Sequence, residues 1–484
     1  VINIITREAN EKWSGSVSLY GKQTDSANGG DGEGISLAAA GPLTDSIDLG
    51  VAVESRSRDA IFDKDKIATI QSQNKTNNLQ ADLGFDINET DRLKLGVLYG
   101  TEKGEDIDNG FFGIGTIPLD VKRRLSSIDY TTRLGTFDTS IGIVASNSDV
   151  EEGTAIWKIK ENNVSIDLQG ELNKQHYLSY GIQYREEDVD RNDTTVFNEK
   201  INATTLFVQD VINVTTASTL TLGLAYDMHS KYDNEASPKI NWFTQLSPIV
   251  GIKMGYGESY LAPSLREGSS AYVVSAGPTR TYIGNDDLQP ETAKTVEAGL
   301  TFNQKNSTGS ITLFRTEVDN LITTISTVAS GFPPVTTSEY NNVNEALLQG
   351  VETEWSFYND SRSKMNLSYT YLDAKNRSGE DKGNQLTDRA QHIAKINYFQ
   401  KLPFAGLNLD TGVRYLGKQY TDTKNTKQID AYAVGDIGLS KVLYKDLQLR
   451  FGIDNVTNKI MLDEAASELI EEGRSYRLTL SSTF

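Results

Sequence analysis

Apolar and polar positions alternate with a period of two through most of this 484-residue chain. In the closing stretch, Gly473 to Phe484, one side carries Tyr476, Leu478, Leu480 and Phe484 and the other Arg477, Thr479, Ser481 and Thr483, as an extended strand requires. The same pattern places Leu220, Leu222, Leu224 and Tyr226 opposite Thr221, Gly223, Ala225 and Asp227. It recurs at Ile47, Leu49, Val51 and Val53, and again at Leu447, Leu449, Phe451 and Ile453. Each run is about ten residues, the length a tilted strand needs to cross a bilayer. A soluble sandwich uses the same alternation with its apolar side on a core, so repetition and turn spacing decide between them.

The alternation and its turn signals pair the strands, with short turns at one end and longer polar loops at the other. Ser14 to Thr24 is followed by Gly34 to Leu43, a tight turn at Thr44 to Ser46, and Ile47 to Asp59. Arg92 to Gly104 leads through a long loop, Glu105 to Arg123, into Arg124 to Leu134. Further on come Val164 to Asn173, Tyr177 to Val189, Ile201 to Val214 and Thr219 to Tyr232. Ile249 to Leu261 and Glu291 to Gln304 flank a loop that runs through Arg280. The expected fold is all-β, a transmembrane antiparallel β-barrel of about 22 strands, the size of outer-membrane transporters with a plugged lumen. Tyr184, Tyr226, Tyr369 and Tyr415 are expected in its aromatic girdle.

Composition supports this reading. With 37% hydrophobic residues there is little apolar material for the core of so large a soluble protein, but enough for a barrel with wet lumen and loops. The 10 prolines form no linker rich enough to mark a domain boundary. No run reaches the roughly 18 apolar residues of a transmembrane helix. Cysteine is absent, which excludes disulfides and thiolate metal sites. A net charge of −19, from 47 Lys and Arg against 66 Asp and Glu, argues against a nucleic-acid partner.

Six stretches together resemble the TonB-dependent outer-membrane receptors. They are VINIITR (Val1 to Arg7), YLAPSLRE (Tyr260 to Glu267), NDDLQPETAKTVEAGL (Asn285 to Leu300), YNNVNEALLQGVETEWSF (Tyr340 to Phe357), GIDNVTNK (Gly452 to Lys459) and the terminal GRSYRLTLSSTF. Pro290 is read as opening a strand where a missing N–H is tolerated, and Gly350 as a close backbone approach. The resemblance implies that residues 1–13 end a plug domain and lead into a barrel over 14–484, in the outer membrane of a bacterium. It implies uptake of a ferric siderophore of catecholate type, driven by the TonB complex through an N-terminal plug domain that is missing from this chain. Other readings are a cobalamin or other chelate receptor, a passive pore without a plug, and a docking receptor for a phage or bacteriocin.

The chemistry of the residues narrows this further. His176, His229 and His392 lie far apart, and no GxSxG, HExxH or P-loop is present, so no enzyme, catalytic residue or cofactor is expected. Asp106, Asp108 and Gly110 have a calcium-like spacing without the rest of the calcium-loop pattern, and no metal site is expected. Phe111 and Phe112 with Arg123 and Arg124 combine aromatic faces and cations, a pairing suited to an anionic aromatic ligand such as a ferric catecholate. Tyr272 and Arg280 are expected to face them across the mouth. The competing reading gives these cations to lumen carboxylates and the aromatics to an interfacial girdle. Besides the chelate, the expected partner is outer-membrane lipid.

Overall fold

The computed structural model describes residues 12–25, 29–62, 69–71, 73–110, 113–192, 196–275, 280–330, 335–359, 362–463 and 468–484. The expectations for Val1 to Arg7, Phe111 and Phe112 lie outside these residues. Among the described residues, 24 strands form one sheet, two of them, Val273–Ser275 and Arg280–Ile283, belonging to a loop. The other twenty-two form the wall, each antiparallel to its neighbours in chain order. The first, Ser14–Thr24, pairs with the last, Ser475–Thr483, so the sheet closes on itself and has no free edge. At this seam the Gly15 and Phe484 backbones exchange hydrogen bonds of 2.9 and 3.0 Å. A Cβ on Gly15 would meet the Phe484 ring at 2.3 Å, so the seam needs glycine there.

Closure separates an outside from a lumen, and the two-residue period assigns every wall residue to one of them. Leu222, Leu224 and Tyr226 are exposed on the outside, level with Ile240 and Leu206 on the adjacent strands. Val53, Leu79, Val97, Ile143, Val413, Leu439, Phe451 and Leu478 continue this exposed apolar band around the barrel. No water-soluble surface carries so large an apolar area, which is the lipid contact of a membrane barrel. Tyr226, Tyr369 and Tyr415 stand on the same outward face, as does Tyr184 opposite Val164. Asp48, Asp82, Arg92 and Lys94 line the lumen, where Arg92 bridges Asp48 and Asp86 at 2.5 Å.

The structure corrects the long loop expected at Glu105 to Arg123. The Arg92–Gly110 and Gly113–Leu134 strands instead form one unbroken ladder, from Arg92 opposite Thr131 to Gly110 opposite Gly113. Other strands also run further toward the loop rim than their apolar alternation suggests. They are Ala155–Glu171, His176–Asn192 and Val196–Thr215. The physical reason is a reversal of polarity along the strands. In Ala155–Glu171, Ile166 and Val164 face out and Asp167, Ser165 and Asn163 face in; nearer the loop rim Lys160 and Lys158 face out and Ile159 and Trp157 face in. The backbone ladder needs its partners at every height, whichever side is apolar.

Three of the family-like stretches have residues with a direct structural reason. Asn455, buried and at φ 52°, accepts hydrogen bonds from Lys459 N and Thr457 Oγ1 and donates to the carbonyls of Lys459 and Glu472. One amide thereby ties both ends of the last long loop. A Cβ on Gly350 would lie 2.0 Å from the Tyr371 carbonyl, so that close approach requires glycine. Pro290 immediately precedes the Glu291–Gln304 strand, where its missing N–H removes no ladder bond.

Candidate functional site

The loop rim is shaped by residues 262–275 and 280–290, which fold inward instead of continuing the wall. Their seat is a row of lumen-facing side chains on five adjacent strands: Val121, Val150, Trp157, Arg191 and Phe197, each opposite the next in register. Leu265 and Tyr272 from the loop pack on this row with Ala155 and Val189, all of them buried. Tyr272 meets Phe197 edge-on at 5.6 Å and lies 6.2 Å from Trp157. Such ring geometry adds to the gain from area burial. Ser269 Oγ donates to Glu199 at 2.9 Å, and Lys231 donates to the Gly268 carbonyl.

The loop's other end is clamped across the mouth. Arg280–Ile283 pairs in parallel with Thr336–Glu339. Asn285 Nδ2 donates to the Tyr340 carbonyl at 3.0 Å, and Gln289 N donates to Asn342 Oδ1 at 2.8 Å. Asn342 Nδ2 reaches the carbonyls of Gln289 and Asn320 at 2.9 and 2.6 Å. These residues come from the NDDLQPE and YNN stretches, whose polar character is thus a matter of anchoring.

Between its two anchors the loop presents a cation. Ser264 N and Oγ donate to Glu267 Oε2 at 2.9 and 2.8 Å, and Glu267 N donates back to Ser264 Oγ at 3.3 Å. This reciprocal cap fixes one turn. It leaves Leu265 buried and its neighbour Arg266 exposed. The Arg266 guanidinium lies 5.5 Å from the Trp157 ring centroid, while that of Arg191 lies 4.5 Å from the same ring. Arg266 has no hydrogen-bond or carboxylate partner among the described residues. Beneath the turn is a cavity of about 290 Å³ lined by Arg185, Glu187, Asp227, His229, Tyr260 and Pro263. Burial, with nearby Tyr260, Glu267 and Asp286 adding to it, pushes the Tyr232 hydroxyl up to about 12; it rests against Gly268.

The expected site residues divide over this geometry. Tyr272 lies in the buried cluster. Arg123 faces the lumen and pairs with Glu102 at 3.2 Å. Arg124, next in sequence, lies on the outside, opposite Tyr99, with Asp149 at 3.9 Å. A strand cannot point adjacent residues at one ligand. The Arg280 backbone lies in the loop's short strand, and its side chain is outside the described residues. The side chains of Asp106, Asp108 and Gly110 are likewise outside them; their backbone lies in the ladder. Trp157, Arg191, Phe197 and Arg266 escaped the sequence reading. The signals available were Ser264 and Glu267 at capping-box spacing after Pro263, and Trp157 and Ile159 alternating with Lys158 and Lys160.

A closed wall with a lipid-facing exterior, a polar lumen and an ordered loop across part of its mouth defines an outer-membrane barrel of the receptor class. The family model for the β-barrel of TonB dependent receptor-like proteins matches residues 13–456, and the chain belongs to that family. It is 24% identical over 515 residues to the iron-regulated outer membrane virulence protein of Vibrio cholerae serotype O1, covering 100% of this chain and 76% of that protein. It is 34% identical over 209 residues to a vitamin B12 transporter of Photobacterium profundum, covering 42% of this chain and 32% of that one. A crystal structure of a mutant ferric enterobactin receptor from Pseudomonas aeruginosa has the same fold. The TM-score is 0.86 at 19% identity, with coverage of 100% of this chain and 82% of that one. The protein is therefore a TonB-dependent receptor of the bacterial outer membrane.

Proposed function

We propose that this receptor takes up a ferric siderophore of the catecholate type, with transport driven by the TonB complex. The observation that carries the reading is Arg266. Its guanidinium has no carboxylate partner among the described residues and lies over Trp157, on a turn fixed by its own cap and a loop anchored at both ends. An anionic chelate gains charge-assisted bonds from such a group, which the Trp157 ring beneath it holds in place. Because the turn at Ser264 to Glu267 is already capped and seated on the wall, little conformational freedom is lost there on binding. Arg123 and Arg280 supply further cations in this proposal, and Tyr272 acts by seating the loop. Arg124 takes no part, since it faces outward. The names of the V. cholerae and P. aeruginosa relatives support iron and ferric enterobactin; the B12 match supports cobalamin as the second reading.

The test is binding to the full-length receptor. Arg266→Ala is expected to weaken a ferric tris-catecholate by about 10- to 100-fold, the worth of a hydrogen bond to a charged group. Arg124→Ala is expected to leave it unchanged. Cobalamin binding at higher affinity than any ferric catecholate would reverse the assignment, and equal ferric catecholate binding by Arg266→Ala and the parent would overturn the role of Arg266.

A further inference from the structure

The short turn after the Ser218–His229 strand is a third anchor of the inward-folded loop, and one imidazole shapes it. Ser230 ties the turn to the adjacent strand: its N donates to the Asn202 carbonyl and its Oγ accepts from Asn202 N, both at 3.0 Å. His229 Nδ1 accepts the backbone N–H groups of Lys231 and Tyr232, at 3.1 and 3.3 Å, and the two rings lie 4.9 Å apart. Both residues so placed reach the loop. Lys231 Nζ donates to the Gly268 carbonyl and stands 3.5 Å from Asp286, and a Cβ on Gly268 would lie 1.9 Å from the Tyr232 hydroxyl. Gly268 N donates in turn to the Ser264 carbonyl at 2.9 Å, closing the turn that carries Arg266. Contacts therefore run from His229 to the Arg266 turn through Lys231, Tyr232 and Gly268.

These bonds fix a protonation state. A ring nitrogen that accepts N–H groups carries no proton, so the imidazole is neutral with its proton on Nε2. Protonating Nδ1 turns the acceptor into a donor facing two donors, and both bonds are lost. His229 lies beyond the girdle residue Tyr226, outside the membrane band, where burial, with Lys231 beside it, holds it below the ordinary histidine value of 6.5. The surrounding charges are engaged elsewhere. On the neighbouring strands Arg185 pairs with Glu161 and Glu187, at 3.1 and 3.4 Å, and Asp227 accepts from Thr205 Oγ1 at 2.5 Å. Glu199 and Asp286 accept from Ser269 and Ser270, and Glu267 from Ser264. Asp233 and Glu235 act on Tyr260, which burial pushes up to about 12.

We propose that His229 is a positioning residue for the ligand loop, and that its proton state makes the seating of Arg266 sensitive to the pH of the external medium. While the imidazole is neutral the turn is held, and Lys231 and Tyr232 keep Gly268 in place. The released turn binds one more proton than the seated one, so acid favours release. Seating is therefore complete above the ordinary histidine value of about 6.5 and is lost as pH falls through the lower value of the seated ring. The consequence for a ligand rests on the role proposed for Arg266; the motion of the loop does not.

The test is hydrogen exchange of residues 262–275 in the full-length receptor without ligand, at about pH 7.5 and about pH 5, on either side of the ordinary histidine value and corrected for intrinsic exchange rates. In the parent, protection is expected to fall about tenfold at the lower pH, the order expected for two backbone hydrogen bonds. His229→Asn puts an amide oxygen where Nδ1 stands, accepts the same N–H groups as an Asx-turn does and carries no titrating proton. Its protection is expected to stay high at both pH values, and that of His229→Ala to be low at both. Unchanged protection of the Ser14–Thr24 strand checks that each barrel is intact. Acid opening that persists in His229→Asn would assign the effect to carboxylates such as Glu267 and overturn the proposal, as would a parent loop equally protected at both pH values. Ferric tris-catecholate binding at about pH 7.5 separates this from the role of Arg266. His229→Ala is expected to weaken it and His229→Asn to preserve it; an opened loop with unchanged binding would overturn the role of Arg266 and leave that of His229 in place.

Discussion

The strands between Phe137 and Thr215 differ in their two halves, although they are the same strands. In the membrane band the apolar residues face out, as Ile166, Ile182 and Leu206 do, and the lumen side is small or polar. Above the band Lys158, Lys160 and Lys200 face out, while Trp157, Val189 and Phe197 face in under the 262–290 loop. Side-chain parity is continuous across the change; what alters is the solvent. Lipid surrounds the lower half and water the upper, and a folded-in loop replaces lumen water on the inside of the upper half. A strand has no intrinsic inside. It presents its apolar face to whichever medium is not water.

The largest expected effect tests the upper half. Phe197→Ala removes the ring that Tyr272 meets edge-on, at a cost of about 3–5 kcal/mol for an aromatic truncated in a packed site. Hydrogen exchange in residues 262–275 is expected to accelerate while the Ser218–His229 strand keeps its protection. Simultaneous loss in both would show that the two halves are one cooperative unit.

The next effect tests the lower half. Leu222→Arg places a cation on the lipid face and is expected to destabilise the inserted barrel by about 2–4 kcal/mol near mid-bilayer. Thr221→Arg, pointing into the lumen, is expected to cost much less. Equal costs in a folding titration would remove the assignment of faces on which the comparison rests.

The smallest effect reports the seating of the loop. The Tyr232 hydroxyl is pushed up to about 12 by burial and rests against Gly268 of the loop. Its folded value lies above the ordinary tyrosine value of about 10, so its contribution to stability is fully present below pH of about 10 and is lost as pH rises through about 12. In an absorbance titration of tyrosinate, Tyr232→Phe should remove one late-titrating group. In Phe197→Ala the same group should titrate earlier; an unchanged curve would mean that Tyr232 is buried independently of the loop.

The 92–134 hairpin and the 262–290 loop extend the contrast to the mouth. Both join neighbouring strands, and both combine aromatic and cationic residues. The hairpin stays a strand pair, so Arg123 enters the lumen and Arg124 leaves it. The loop departs from extended backbone, and its capped turn places buried Leu265 beside exposed Arg266 over Trp157. Convergence on a ligand is available to irregular chain and denied to adjacent strand positions.

The membrane band was legible in the sequence because lipid outside and water inside impose one rule on every strand. Leu220 to Tyr226 and the terminal Tyr476 to Phe484 obey it residue by residue, and the closed barrel follows from their repetition. Strand length beyond the band was not legible. Outward positions turn charged at Asp120 and Lys122, and again at Lys158 and Lys160, and alternation read from lipid contact alone stops there. The site was legible only in part. Tyr272 could be placed at the mouth from its position in a long connection between strands. Its neighbours Trp157, Arg191 and Phe197 come from three strands that precede it by roughly 75 to 115 positions. Register alone sets those three side by side, and only the inward fold of the loop brings Arg266 over them. That fold is held by long-range contacts, Ser269 to Glu199 and Gln289 to Asn342, which no local pattern encodes.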